Sequence, residues 1–379
     1  MTGVQRDPGW VCRAPAGLTR ENWCTTVCAT IAPTPLAELR LGHAHPGGFF
    51  FVGTYLLAVP AHPAVPYTKP PLSPRDLLAH LVSRGLVVRS PVDGLAALNS
   101  LETVGYYRLL GYMRALQAVD PGTGVRRFLA DTSMDDVLAL YEFDRKLRLR
   151  CMGAVEHIEV ALRSAVVSEI AVREGAHFYL DPNHFKHPAL CTRFQDAVAK
   201  EAPHSRVIRH YQTRYSSPVM PPIWVAMEAV TFGALSHLYS NLKRRHRLRV
   251  ANRFVLDEGV LGSWLRSVNG VRNICAHHGR LWNAPLHVDQ PRPGNPFAAE
   301  FNPQPNTFFD RAVVMAVLLD RIGTDPGWKD RLVDLIGSSP AVDPARMGFP
   351  AAWRTRPFWS VQRKKTPHPA RHIVPRRAR

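Results

Sequence analysis

The residue types most suited to catalysis are concentrated in the segment VRNICAHHGRLWN, Val271–Asn283. Histidine gives and takes protons near neutral pH, and arginine is a permanent planar cation that fits phosphate oxygens. Together they can move protons between an RNA 2′-hydroxyl and the leaving 5′-oxygen, and stabilise the charge on pentavalent phosphorus, without a metal ion or other cofactor. The candidate residues are Arg272, Asn273, His277 and His278 for catalysis, and Arg280 for RNA contact.

The spacing of Arg272 and His277 places a condition on such a site. At about 100° per residue, the two positions lie roughly 140° apart on an ideal helix, so they do not share one narrow stripe. There are two ways to meet this condition. The helix can end between the two residues, and Gly279 is close enough to mark that end, or a second copy of the motif can complete the site. We favour the second interpretation, which predicts a homodimer with two Arg/His pairs across one cleft.

The elements that must position this motif are predicted to be helices. A long helix is expected from about Ser133 to Arg173, with an apolar stripe at steps of three or four residues. That stripe consists of Leu147, Cys151, Val155, Ile158, Leu162, Val166 and Ile170. Further helical patterns cover 95–118 with a break near Gly105, 190–214, 223–242, 261–275, 307–323 and 327–336. The fold class is therefore predicted to be all-α. We expect a multi-helix bundle in which a late helix carries the motif from Arg272 to His277, an arginine and a histidine with four residues between them (R-x4-H).

Composition divides the chain into three parts. Residues 1–66 hold eight prolines and three of the six cysteines, and are expected to be a disordered extension or the product of a start codon assigned too early, with the natural start near Val65. The helical domain is predicted to span residues 67–340, and its first helix has Ser73 as N-cap and Pro74 at the first position. Residues 341–379 are expected to form a basic, disordered tail.

Positive charge is concentrated in two places. The net charge is +18, and residues 243–253 carry six Lys/Arg and no acid, while residues 363–379 carry seven and no acid. Such runs favour a polyanion, most simply nucleic acid. The predicted RNA contacts of the first run are Lys243, Arg244, Arg245 and Arg247. The alternative is a solvated helix face followed by a solubilising tail.

Several classes of protein are disfavoured. No stretch reaches the roughly 18 apolar residues of a membrane span, and the best candidate, Phe49–Pro60, is too short. We therefore expect no membrane contact and a cytoplasmic location. The cysteines form no CxxC pair, which favours reduced, packed thiols. A zinc site made of Cys275, His277, His278 and a remote partner lacks a second ligand pair with finger-like spacing, so no metal is predicted.

The ordered blocks of this sequence resemble a known family. Arg272–His277 is similar to the R-x4-H motif of the HEPN superfamily of helical ribonucleases, commonly with Asn after Arg. The wider resemblance, over residues 67–321, is to the Abi-like abortive-infection family, AbiD/AbiF type. It is carried by GYYRLLGY (105–112), FDRKLR (143–148), AVEHIEVALRS (154–164), PPIWVAMEAVTFGALSHLY (221–239) and CAHHGRLWN (275–283).

This resemblance implies a HEPN-type bundle and a metal-independent endoribonuclease of a phage-defence or toxin-like system. The enzyme would act as a homodimer on tRNA or another structured RNA, and leave 2′,3′-cyclic phosphate ends. An antitoxin protein or a small RNA is the further partner that it suggests. The alternative is a non-catalytic RNA-binding regulator or partner-binding module on the same scaffold. A third interpretation, a DNA-binding regulator using residues 243–253, would not depend on a 2′-hydroxyl.

Other side chains have a plainer interpretation beside the functional one. Three glutamates on neighbouring helices can orient Arg272 or pair with surface arginines such as Arg163; these are Glu156, Glu159 and Glu228. Aromatic rings can stack on bases, but at helical spacing we interpret them as core: Trp224, Trp264, Trp282, Tyr106, Tyr107 and Tyr112. Cys275 is interpreted as a packing residue.

Overall fold

The structure is a computed structural model that describes residues 68–302 and 306–360, and these residues are mainly helical. The expectations for residues 1–66 and 363–379 lie outside the described residues. The helices, in chain order, are α1 Pro74–Ser83, α2 Pro91–Thr103, α3 Tyr106–Met113, α4 Met134–Val166, α5 Ala189–Glu201, α6 Arg206–Arg214, α7 Ile223–Ala229, α8 Phe232–Asn241, α9 Arg244–Arg253, α10 Glu258–Ala276, α11 Phe308–Ile322 and α12 Trp328–Gly337. The strands β1 (Gln117–Val119) and β2 (Arg126–Phe128) form one antiparallel hairpin. The predicted all-α fold class is confirmed.

Helix α4 is the central element of the bundle. Its start is fixed by a capping box, in which Ser133 and Asp136 satisfy each other's backbone amides. All seven residues of the predicted stripe, from Leu147 to Ile170, are buried. The helix continues beyond Val166 through a π segment, Val167–Ala171. Helices α3, α10, α11 and α12 pack against it, so the motif helix packs directly on this central helix.

Short polar caps divide two of the predicted helices. The hydroxyl of Ser205 accepts a hydrogen bond from the Ile208 amide and starts α6, so the helix expected over 190–214 is two helices. Thr231 does the same for the Ala234 amide and starts α8, which divides the helix expected over 223–242. A side chain that satisfies an N-terminal amide stabilises a new helix start at that position. Ser73 caps α1 as predicted, with Pro74 at its first position.

Residues 341–360, which the sequence analysis assigned to a disordered tail, pack into the core. Phe349 contacts Phe309 of α11 with ring centroids 4.8 Å apart, and Trp359 lies 5.7 Å from the same ring. Both residues are buried, as is Trp353. Large aromatic rings contribute strongly to a core wherever they fall in the sequence, so the ordered region extends beyond the predicted boundary at residue 340.

The segment between α10 and α11 is held by a buried cation. Arg311 is fully buried, and its guanidinium donates to the Gln290 side chain and to the carbonyls of Val288 and Asp289. Burial lowers the pKa of Arg311 to about 10. These bonds fix the chain that follows the motif. In the described part of the chain, no helix is both long enough and apolar enough to cross a membrane.

Candidate active site

Helix α10 presents the motif from its last two turns. The Asp257 side chain caps its first amides, and its buried face consists of Leu261, Trp264, Leu265, Val268, Val271 and Cys275. The helix predicted over 261–275 is therefore present, with an apolar face towards the core. Arg272 and Asn273 therefore stand beside the core stripe rather than in it, which leaves their polar groups free to reach a groove or solvent.

The helix ends within the motif. Its last residue is Ala276 and His277 is the C-cap, while His278 has a left-handed backbone with φ of 57°. The Gly279 amide donates to the Ile274 carbonyl at 2.7 Å, and the His278 amide to the Cys275 carbonyl at 3.0 Å. This pair of bonds is the Schellman arrangement, with a histidine where glycine is usual. A Cβ on Gly279 would lie 2.9 Å from the Ile274 Cγ2 atom, so glycine is required for this close approach.

Arg272 is half-buried and faces α4 across a groove of about 420 Å³. The α4 side of this groove is lined by Met152, Gly153, Val155, Glu156, Glu159, Val160 and Arg163. Arg272 Nη1 donates to the Asn273 Oδ1 atom at 3.3 Å. Among the described residues no carboxylate forms an ion pair with Arg272. Its guanidinium is therefore available to an added anion.

The glutamates around this groove pair with a different arginine. Glu159 lies 2.5 Å from Arg163, and Glu228 of α7 lies 3.7 Å from the same guanidinium. This agrees with the plainer interpretation of these two residues. Together with Glu156, the groove and its edge hold three carboxylates against two guanidinium groups. The groove alone therefore has little net attraction for a polyanion.

The two histidines lie at the exposed end of α10. His277 and His278 are exposed, as is Asn273. The His278 carbonyl accepts a hydrogen bond from Arg108 of α3 at 2.8 Å. In a single chain the helix end separates Arg272, which faces α4, from His277 at the cap. Between the side chains of the predicted catalytic residues, the described structure has one hydrogen bond, from Arg272 to Asn273. The His277 amide also donates to the Asn273 carbonyl at 3.0 Å, as part of the helix end.

Arg280 has a different environment from the one predicted. Its guanidinium donates to the Gly111 carbonyl and lies over the Tyr112 ring, 5.9 Å from the centroid. Burial lowers its pKa. Arg280 thus attaches the loop to α3, and its hydrogen-bonding capacity is partly used inside the protein. The RNA contact predicted for Arg280 stays a prediction.

A buried carboxylate holds the loop that carries the histidines. Asp144 of α4 is fully buried, and its oxygens accept from the backbone amides of Leu281 at 3.1 Å and Trp282 at 2.8 Å. They also accept from the Tyr112 hydroxyl at 2.7 Å and from Arg148 Nη1 at 2.6 Å. Burial raises the pKa of Asp144, while these four donors act in the opposite direction. Burial and the Asp144 charge raise the pKa of Tyr112, which keeps its hydroxyl a donor.

Asp144 was not singled out from the sequence, and Tyr112 was named there only as an aromatic core residue. Asp144 and Arg148 lie in the FDRKLR block and Tyr112 in the GYYRLLGY block, so the resemblance included them without giving them a role. The sequence signal that could have indicated them is an aspartate and an arginine four residues apart, next to the buried apolar stripe of α4. Charged residues are almost never fully buried unless they are paired, and their partners here come from segments distant in sequence.

The basic helix α9 is partly neutralised. Arg247 lies 3.0 Å from Glu258 and is largely buried, and Arg244 reaches the same carboxylate at 3.5 Å. Arg244 and Arg245 are exposed, while Lys243 is half-buried as the N-cap residue. Of the four predicted RNA contacts, Arg244 and Arg245 are thus the most accessible, and Arg247 is engaged within the fold.

The aromatic and cysteine interpretations hold in part. Trp264, Trp282 and Tyr112 are buried, and Trp282 stacks parallel to Tyr112. Trp224 and Tyr107 are instead 48% and 79% exposed, so their assignment to the core was wrong. Cys275 is buried, as is Cys151, and burial together with the nearby Cys275 raises the pKa of the Cys151 thiol, in agreement with a packing role. Within the described residues, no group of three or more His, Cys, Asp or Glu side chains is arranged to hold a metal ion.

Part of the chain matches a known protein family. Residues 99–283 match the family model described as Abi-like protein. This segment begins in α2, includes all of α4 and ends at Asn283, so it contains the Asp144 contacts and the whole motif. It amounts to just under half of the chain and is similar to the Abi-like family. No curated protein and no solved structure gives a significant match.

Proposed function

We propose that this protein is a metal-independent endoribonuclease of an abortive-infection or toxin-like system, acting through Arg272 and His277. The observation that carries the proposal is the setting of the R-x4-H motif. It lies in the segment that matches the Abi-like family, at a helix end closed by the Schellman hydrogen bonds, with an accessible imidazole and a guanidinium that pairs with no carboxylate among the described residues. Preorganised groups of this kind favour catalysis because they need no rearrangement in the transition state.

The residues have distinct roles in this proposal. His277 moves the proton between the 2′-hydroxyl and the leaving 5′-oxygen, and Arg272 stabilises the charge that develops on phosphorus. Asn273 orients the Arg272 guanidinium through its 3.3 Å hydrogen bond. His278 is the second candidate for proton transfer. The superfamily assignment to the HEPN ribonucleases and the AbiD/AbiF subtype are part of the same proposal.

A homodimer completes the site. Arg272 faces the α4 groove from within α10, whereas His277 is the exposed C-cap residue of that helix. We infer that the two groups of one chain do not act on the same phosphate. A second copy that brings its His277 towards the Arg272 groove supplies the missing partner. The substrate we propose is tRNA or another structured RNA, with an antitoxin protein or small RNA that restrains the enzyme.

The test is incubation of purified protein with total RNA in EDTA. Wild type should release discrete fragments with 2′,3′-cyclic phosphate ends, while Arg272→Ala and His277→Ala should release none. His287→Ala, which removes an exposed histidine outside the motif, is the matched control. Fragments from every variant would refute the assignment of the site.

Mixing the two inactive variants tests the dimer. If Arg272 of one copy acts with His277 of the other, a mixed dimer of Arg272→Ala and His277→Ala contains one intact site and regains activity. If both groups act within one chain, no mixed species has an intact site. Activity that does not return after subunit exchange, verified by mass spectrometry, would refute the shared site.

One observation favours a second candidate, a non-catalytic RNA-binding module. The groove beside Arg272 and its edge hold three carboxylates against two guanidinium groups, so Arg272 lies where there is little net attraction for a phosphate. Intact RNA with wild-type protein, together with a retained gel shift, would support this candidate over the enzyme.

A further inference from the structure

A second acid-free segment, residues 202–227, contains α6 and the first five residues of α7. Between Glu201 and Glu228 there is no aspartate or glutamate. The segment carries three arginines, Arg206, Arg209 and Arg214, and two histidines. It carries fewer positive charges than residues 243–253, which also lack an internal acid. Arginines of that run pair with Glu258 and Glu174 elsewhere in the fold, whereas the arginines of residues 202–227 take part in none of the ion pairs among the described residues.

The three arginines lie on one side of α6. At about 100° per residue, each is at least 100° away from Ile208, which is fully buried and marks the inner face. All three are exposed. The ion pairs within the described residues involve other side chains. Their charges are thus fully available to an external anion.

Exposed aromatic rings accompany these charges. Tyr215, directly after α6, is 57% exposed and lies 5.1 Å from the Tyr211 ring, while the Tyr211 hydroxyl is held by the Pro218 carbonyl. Trp224, in the first turn of α7, is 48% exposed. Helices α6 and α7 pack against each other. Large exposed rings beside unpaired arginines are the combination that single-stranded nucleic acid requires, because bases stack on the rings while phosphates contact the cations.

This surface adjoins the Arg272 groove. Glu228 follows Trp224 by four residues, so the two side chains lie on the same side of α7, about 6 Å apart along its axis. Glu228 contacts Arg163 at 3.7 Å, and Arg163 lines the groove that Arg272 faces. Because that groove is nearly neutral, the attraction for an RNA backbone has to come from its surroundings.

We propose that the α6–α7 surface, formed by Arg206, Arg209, Arg214, Tyr215 and Trp224, binds a single-stranded stretch of RNA that flanks the cleaved bond. The arginines contact phosphates, and the Trp224 and Tyr215 rings stack on unpaired bases. A duplex cannot use the rings in this way because its bases are already stacked and paired. The role of the bound strand as substrate rests on the proposed ribonuclease function; the binding surface itself does not.

The test uses the full-length protein with His277→Ala as background, so that binding is measured without cleavage. The probes are a fluorescent single-stranded RNA of about 20 nucleotides and the same sequence as a duplex. Replacing Arg206, Arg209 and Arg214 by glutamine should weaken single-strand binding at least tenfold and reduce the slope of log K against log salt by about 2, at about 0.7 per phosphate contact. Trp224→Ala should weaken it between about fivefold and a hundredfold and leave duplex binding unchanged.

The matched control removes three exposed arginines from other elements, Arg75, Arg126 and Arg127. If the Arg206, Arg209 and Arg214 variant bound single-stranded RNA as tightly as this control, the proposed surface would be overturned. If Trp224→Ala weakened duplex binding as much as single-strand binding, the preference of the surface for single strands would be overturned. The two proposals fail separately. Wild type that cuts no RNA, with variants that still lose single-strand binding, refutes the ribonuclease and supports the surface. Wild type that cuts RNA, with unchanged binding in the variants, refutes the surface alone.

Discussion

Replacing Asp144 by alanine should destabilise the protein strongly, because this carboxylate joins three parts of the chain. It accepts hydrogen bonds from Tyr112 of α3 and from the amides of Leu281 and Trp282 in the motif loop, and it pairs with Arg148 within α4. All of these contacts are buried. The substitution removes the acceptor but leaves every donor in place.

The size of the effect follows from what remains unpaired. Arg148 would keep a buried guanidinium without its carboxylate, and breaking a buried pair in this way costs about 3 to 5 kcal/mol. The orphaned amides of Leu281 and Trp282 would add about 1 to 3 kcal/mol each if water did not reach them. Local relaxation reduces such sums, so we expect a loss of about 4 kcal/mol, which corresponds to a melting temperature lower by about 10 °C.

The assay is urea unfolding followed by circular dichroism, with wild type, Asp144→Ala and the control Asp135→Ala. Asp135 lies at the exposed start of the same helix, so its loss should cost less than about 1 kcal/mol. Asp144→Asn keeps an acceptor for the amides and loses the charge, and it should fall between the two. A double-mutant cycle with Arg148→Met measures the coupling, since removing both charges also removes the unpaired cation.

One result would refute this reasoning. If Asp144→Ala were no less stable than Asp135→Ala, the motif loop would not depend on the buried carboxylate. A different outcome would separate the structural role from the catalytic one. If Asp144→Ala were less stable but cleaved RNA normally at a low temperature where it is still folded, Asp144 would stabilise the fold, and the position of the loop would not matter for catalysis.

Three further predictions concern other sites. His278→Gly should stabilise the protein by about 1 kcal/mol, measured by thermal melting, because glycine adopts the left-handed backbone at the end of α10 without strain; a loss of stability would contradict the cap geometry. Burial lowers the pKa of His246 to about 4, so its neutral form stabilises the fold above about pH 6.5 and this contribution is lost as the pH falls towards 4, at up to about 1.4 kcal/mol per pH unit. His246→Gln should therefore reduce the difference in unfolding free energy between pH 7 and pH 5, whereas His204→Gln, at an exposed site, should not. Arg244→Gln with Arg245→Gln should weaken RNA binding and its salt dependence in a gel-shift titration without lowering the melting temperature; unchanged affinity would identify this run as a solvated helix face.

Features that depend on local sequence could be predicted. The stripe from Leu147 to Ile170 repeats at helical steps, so periodicity alone identified the core face of α4. The Ser73 cap with Pro74 also followed from adjacent residues. The position of the R-x4-H motif on a late helix was predicted in the same way, because the apolar residues of α10 recur every three or four positions up to Cys275.

Features that depend on distant residues required the tertiary structure. Asp144 meets Leu281 and Trp282 more than 130 residues later in the chain, and no local pattern indicates that contact. Arg247 is engaged within the protein, rather than open to an RNA phosphate, only because the fold brings Glu258 within 3.0 Å of it. Trp224 resembled a core residue in its local sequence, yet packing left nearly half of it exposed. Local propensity selects helices and their apolar faces, whereas the partners of buried charges and the exposure of single rings are decided when those faces come together.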